Sequence, residues 1–124
     1  MARPVYMGKQ NEKPETDFRK TCIKWLEIRF GRYFWHVKIR AGIGQRPGVP
    51  DTLCSIRGQF FGFEWKNPAK KPNVSAKQAE QIDLISKSGG RAYVIASWQD
   101  LMDAVHDVEP VQLGMTTCKV REKK

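Results

Sequence analysis

The segment from Thr52 to Lys66 constrains the fold more than any other. Two runs with the alternating character of strands flank Arg57-Gly58-Gln59. A period of two places alternate side chains on one face of a strand, and a short glycine-containing break suits a tight connection. The reading is a β-hairpin of residues 51–56 and 60–66. Phe61, Phe63 and Trp65 share one face of its second strand, and Gly62, Glu64 and Lys66 share the other. With its centre near Gly58, the hairpin pairs Asp51 roughly with Trp65 and brings Asp51 close to Glu64 at one end of the sheet.

The flanking segments are read the same way. Residues 14–30 carry Phe18, Cys22, Trp25, Leu26 and Arg29 at helical spacing, with Pro14 in the first turn and Gly31 as the stop. On that helix Glu15 falls on the interior side, whereas Glu27 turns to solvent. Residues 33–40 are aromatic and β-branched, hence a strand, with Tyr33, Trp35, Val37 and Ile39 on one face. His36, on the other, is read as a packed or DNA-facing side chain. Residues 41–50 hold three glycines and two prolines and form a loop, as do residues 67–74. Ser75 opens a helix with Ile82 and Ile85 as core positions, ended by Gly89-Gly90. Residues 92–96 form a wholly apolar strand of the kind expected in a sheet interior. Ser97 caps a last helix through about Asp107, with Asp100 as its capping acid. The order αβββαβα makes an α/β domain with a mixed central sheet flanked by helices. All four tryptophans (Trp25, Trp35, Trp65, Trp98) are expected in the core.

The chain has 124 residues, which suits one domain. Residues 13–110 form it, between a basic arm (1–12) and a basic tail (111–124). No apolar run approaches the roughly 18–20 residues of a membrane span, and the N-terminus lacks the apolar stretch of a secretory signal. The expectation is a soluble cytoplasmic protein with no membrane partner. Three cysteines (Cys22, Cys54, Cys118) lie far apart from each other and outside any metal-binding spacing, so they are read as reduced thiols. The net charge is +9, unevenly spread: residues 1–78 carry 16 basic and 6 acidic side chains, residues 79–115 carry 2 and 6. A basic excess confined to one part of the chain points to a polyanion.

Asp51 and Glu64 at one sheet end make a hard-oxygen site suited to Mg²⁺, with Mn²⁺ as a substitute. Lys66, two residues from Glu64 on the same face, is placed to position water or to stabilise charge on a phosphate. Each feature has a structural alternative. Asp51 can cap a turn, Glu64 and Lys66 can be an exposed pair, and Gln78 with Ser75 can be a capping box.

Pro50-Asp51 followed by Glu64-Trp65-Lys66 resembles the PD-(D/E)xK nuclease superfamily. Within it the chain looks most like the small VRR-NUC domains, often phage-encoded. Gly44 and Gly48 before Pro-Asp support the likeness, as do Gly62-Phe63 before Glu-x-Lys, Ser75-x-x-Gln78, and the Ser-Trp-x-Asp-Leu start of the final helix. The resemblance spans about residues 15–107 and implies a restriction-endonuclease-like αβββαβ core. It also implies roles. Asp51 and Glu64 match the metal-binding carboxylates, with the Trp65 backbone carbonyl as a third ligand. Lys66 matches the catalytic lysine and Gln78 the glutamine beside the active site. Glu15 resembles the first-helix acid that completes the metal's water shell.

Lys38, Arg40, Arg46, Lys70 and Lys71 flank the carboxylates in sequence and are read as phosphate contacts, which set register without reading bases. The expected activity is metal-dependent endonucleolytic hydrolysis of DNA. The expected substrate is branched, such as a four-way junction, cut by a homodimer without a small-molecule cofactor. The alternatives are a nicking, flap or fork nuclease of the same chemistry, or a nucleic-acid-binding module without catalysis.

Overall fold

The computed structural model describes residues 14–40 and 46–112. In chain order it contains α1 (Pro14–Phe30), a 3-10 turn (Gly31–Tyr33), β1 (Phe34–Lys38), β2 (Thr52–Ile56), β3 (Gln59–Trp65), α2 (Ala76–Lys87), β4 (Arg91–Ile95) and α3 (Trp98–Val105). The four strands form one mixed sheet in the order β1-β2-β3-β4. The first three are antiparallel, and β4 runs parallel to β3, which it joins through the crossover helix α2. The element order and the α/β class are those expected from the sequence. No helix among the described residues is long and apolar enough to cross a membrane. The N-terminal arm and most of the C-terminal tail lie outside the described residues, as does Cys118. The first tail position does not: Val111 N–H donates to the Arg29 carbonyl at 2.9 Å.

The core sits between one sheet face and the pair α1/α3. Phe18, Cys22, Ile23, Leu26 and Phe30 of α1 meet Cys54, Ile56, Phe61, Phe63, Trp65 and Ile95 of the sheet, with Leu101, Ala104 and Val105 of α3. Burying such side chains contributes about 1.5–3 kcal/mol each for the larger ones, which holds α1 in place. Phe18 meets Trp65 edge-on at 6.2 Å, and Trp25 meets Trp98 at 4.9 Å. Cys22 and Cys54 are free thiols, and burial pushes both up to about 12.

Among the described residues the opposite face is covered only by α2, and only over β3 and β4. This asymmetry corrects three expectations. Trp35 is not a core residue: it is 63% exposed, with Val37 beside it, because no helix reaches the outer side of β1 there. Ile82 and Ile85 are half-buried rather than core. The apolar strand β4 lies at the sheet edge rather than in its interior. Its apolar character follows from cover on both faces, by α2 and α3.

The hairpin turn is also shorter than expected. Ile56 pairs with Gln59, leaving a two-residue loop of Arg57 (φ 51°) and Gly58 (φ 83°). Two left-handed residues make a type I′ turn, whose twist matches that of the strands. The register therefore shifts by one from the expected pairing.

Candidate active site

That shift builds the site. Extending the Thr52–Phe63 pair by one position sets Asp51 directly opposite Glu64. Directly opposed residues share a face, so both carboxylates stand on the α2 side, where β2 begins and β3 ends. Their backs are locked on the core side: Trp65 Nε1–H donates to Thr52 Oγ1 at 2.9 Å, and both residues are buried.

Backbone groups complete the sheet end. Lys66 N–H donates to the Ile95 carbonyl at 3.0 Å. Successive residues of a strand bond to alternate sides, so Trp65 turns its N–H and its carbonyl toward the β2 side. The N–H meets Asp51 Oδ2 at 3.3 Å, which fixes the Asp51 carboxylate. The Trp65 carbonyl is thereby directed to the same side as Asp51.

Gln78 joins α2 to the carboxylates. Its Nε2 donates to Glu64 Oε2 at 2.8 Å, and its Oε1 accepts from Lys66 Nζ at 3.2 Å. The same Oε1 accepts from Ser75 N–H at 3.0 Å, while Ser75 Oγ accepts from Gln78 N–H at 3.1 Å. The capping box and the bridge to the acids are one arrangement: the side chain that caps α2 also contacts Glu64 and Lys66. Lys66 Nζ stands 3.7 Å from Glu64 Oε2.

Two glycines permit this closeness. Gly48 adopts φ +85°, and a Cβ there would lie 2.2 Å from the Lys77 carbonyl oxygen. The loop carrying Pro50-Asp51 therefore rests on the backbone of the first turn of α2. A Cβ on Gly62 would lie 3.0 Å from Pro50 Cγ and 3.6 Å from Ile85 Cδ1, so the bare backbone there lets loop and helix settle on the sheet.

Glu64 is only 4% exposed. Burial pushes its carboxyl up to about 7, the Asp51 charge adds to the rise, and Lys66 opposes it. Glu15 adds a smaller upward push, so its charge reaches the site. Glu15 is nevertheless exposed and does not point into the interior as expected; the buried acid of α1 is Asp17. Like charges held together away from water are relieved by a proton or by a cation. Carboxylate and carbonyl oxygens are hard donors that fit Mg²⁺ or Mn²⁺. Among the described residues no three His, Cys, Asp or Glu side chains converge as a metal-binding group. Asp51 and Glu64 are a pair of such donors, and Mg²⁺ commonly keeps several waters where protein ligands are few.

No protein-family model matches the chain, and no curated protein is significantly similar to it. Function rests on the site itself.

The expected phosphate contacts divide. Arg46, Lys70 and Lys71 are exposed on the loops before β2 and after β3, the two strands that carry the carboxylates. Lys38 pairs with the inward-facing Thr52 and so stands on the α1 side of the sheet, away from Asp51 and Glu64. Arg40 is exposed beyond the end of β1. His36 lies on that same α1 side, stacked on Phe34 at 4.8 Å and 3.4 Å from Glu27. The supporting parts that sequence reasoning missed are Thr52, whose hydroxyl holds Trp65, and the backbone contact at Gly48. The Pro47-Gly48 turn was the available signal for the second; nothing in the sequence marked the first.

Proposed function

We propose that this protein is a divalent-metal-dependent endonuclease that hydrolyses phosphodiester bonds in DNA, of the PD-(D/E)xK type. The observation that carries the reading is the assembly of Asp51, Glu64, Lys66 and Gln78 at one sheet end, with Glu64 buried and bridged through Gln78 to Lys66. A solvated surface pair has no need of such burial or of a bridging amide.

Asp51, Glu64 and the Trp65 carbonyl would hold Mg²⁺ or Mn²⁺, and the proposed role of Glu15 is to order a water of that ion. A bound cation of this kind polarises a phosphoryl oxygen and lowers the pKa of water. Lys66 presents its ammonium on the same face, where it stabilises charge on the phosphate. Gln78, bonded to both, orients Glu64 and Lys66. Arg46, Lys70 and Lys71 hold the DNA backbone, which gives affinity without base recognition. Contacts of this kind read no bases, so DNA structure rather than sequence is the proposed basis of substrate choice. A branched DNA cut by a homodimer is the proposed form, with nicking, flap or fork cleavage as alternatives within the same chemistry.

The test is cleavage of a labelled four-way junction beside linear duplex and supercoiled plasmid, with Mg²⁺, Mn²⁺ or EDTA, for the wild type and Glu64→Ala. Metal-dependent cutting that the variant lacks supports the nuclease, and cutting near the junction centre supports the branched substrate. Binding without cutting in either metal overturns the enzyme and leaves a nucleic-acid-binding module.

A further inference from the structure

The part of the sheet that no described helix covers carries a second feature on the same face as the carboxylates. Trp35 and Val37 of β1 lie opposite Ser55 and Leu53 of β2, and all four stand on the side where Asp51 and Glu64 stand. At the far end of these strands a groove of about 430 Å³ is lined by Arg32, Tyr33, Trp35, Ser55, Arg57 and Gly58. Trp35 is 63% exposed, while Trp65 is fully buried and Trp25 and Trp98 are half-buried against each other. An indole left this open at a groove is costly to solvate and offers a flat stacking surface.

The charge of the groove selects its occupant. Its lining holds two arginines and no acid. The Arg57 guanidinium is held over the Tyr33 ring at 3.9 Å, and its Nε–H donates to the Glu109 carbonyl at 2.6 Å, so it is fixed in place. Arg32 is exposed beside it. A second copy of the chain docking here about a two-fold axis would bring these like charges together. A polyanion with flat apolar rings meets both the arginines and the indole. Double-stranded DNA hides its base faces in the stack, whereas an unpaired strand presents them.

We infer that this groove binds a single-stranded segment of the nucleic acid, with an unpaired base stacked on Trp35 and flanking phosphates on Arg32 and Arg57. The inference deepens the nuclease reading and rests on it for the identity of the strand as substrate. Ser55 lies four positions along β2 from Asp51, roughly 13 Å at strand rise. A strand crossing this face therefore has one or two nucleotides between the stacked base and the carboxylates. A substrate combining duplex with an unpaired segment, such as a flap, fork or opened junction, fits this spacing better than an uninterrupted duplex.

The test measures binding in EDTA, apart from catalysis. Fluorescence anisotropy of a labelled oligothymidylate and of a duplex of equal length is read with the full chain, as wild type, W35A, W35F and R32A. Quenching of intrinsic tryptophan fluorescence by the oligothymidylate is read alongside. Base–aromatic stacking is worth about 1–3 kcal/mol, so W35A should weaken single-strand binding by roughly 5- to 150-fold. W35F should restore most of it, duplex affinity should change little, and R32A should lower the salt dependence by about one phosphate contact. Equal single-strand affinity of W35A and wild type, without quenching, overturns the inference. So does a W35A variant that loses self-association in sedimentation while keeping its DNA affinity, since the face is then a subunit contact. If W35A loses binding but the wild type cuts no DNA with Mg²⁺ or Mn²⁺, the groove stands and the nuclease reading fails. If the wild type cuts and W35A binds normally, the groove alone fails.

Discussion

Replacing Glu64 by glutamine should stabilise the metal-free protein while abolishing the proposed DNA cleavage. The Glu64 carboxyl is raised from 4.5 to about 7, first by burial and then by the Asp51 charge. A carboxyl raised on folding binds its proton more tightly in the native state. Its stabilisation is complete below the unfolded value and is lost as pH rises through the folded one. The shift corresponds to about 3 kcal/mol lost above neutral pH, of which about 2 kcal/mol or slightly more falls between roughly pH 5 and pH 8. Glutamine never ionises, and its amide oxygen keeps the acceptor that Gln78 Nε2 requires. In EDTA, urea unfolding should show wild-type stability falling across that range relative to Glu64→Gln. At the alkaline end the variant should be the more stable, with a midpoint higher by on the order of 10 °C on heating. Saturating Mg²⁺ should recover much of the wild-type deficit, since a ligand at 100 times its Kd adds about 2.7 kcal/mol, and should do nothing for the variant. Parallel pH profiles for the two proteins would refute the reasoning, because Glu64 would then not be the acid that folding raises.

Other positions give sharper contrasts. Gly48→Ala should destabilise by well over the roughly 1–2 kcal/mol of a left-handed residue, since its Cβ meets the Lys77 carbonyl, whereas Gly58→Ala at a similar φ, with open space around it, should cost only that penalty; chemical denaturation compares them. Gln78→Glu should keep the acceptor for Ser75 N–H but lose the donor to Glu64, so helix content by circular dichroism should persist while the proposed cleavage falls about 10- to 100-fold, the usual cost of losing a partner that orients a metal-binding carboxylate. Ser75→Ala should cost about 1 kcal/mol of stability through the lost cap and leave the chemistry largely intact. Thr52→Val should orphan the buried Trp65 indole N–H and cost about 1–3 kcal/mol, read as a lower urea midpoint.

The parts of the fold that were legible are those written in local patterns. Helix α1 was marked by apolar spacing between Pro14 and Gly31. The α2 cap was marked by Ser75 and Gln78, and the start of α3 by Ser97, whose hydroxyl accepts from Asp100 N–H at 3.1 Å. Cover was not legible. Period two sorts Trp35 and Val37 onto one face and Phe34 and His36 onto the other, but it does not say which face a helix will reach. Here α2 stops at β3, and the larger aromatic of β1 is the one left outside. The apolar run of β4 misled for the same reason: it records two covered faces, and an edge strand with a helix on each side has both.

The site was legible as a set of residues but not as a geometry, and a single backbone detail separates the two. A three-residue turn centred on Gly58 would pair Asp51 with Trp65, offsetting Asp51 from Glu64 and turning the two carboxylates to different faces. The two-residue turn depends on Arg57, a non-glycine residue at φ 51°, accepting a left-handed conformation. Its guanidinium is held by the Tyr33 ring and the Glu109 carbonyl, and its N–H donates to the Tyr33 carbonyl at 2.8 Å. Those contacts come from residues distant in sequence, which is why no local rule announces them. They offset a conformational cost of roughly 1–2 kcal/mol. What they fix, six and seven residues away at the other end of the hairpin, is whether Asp51 and Glu64 face each other across one site.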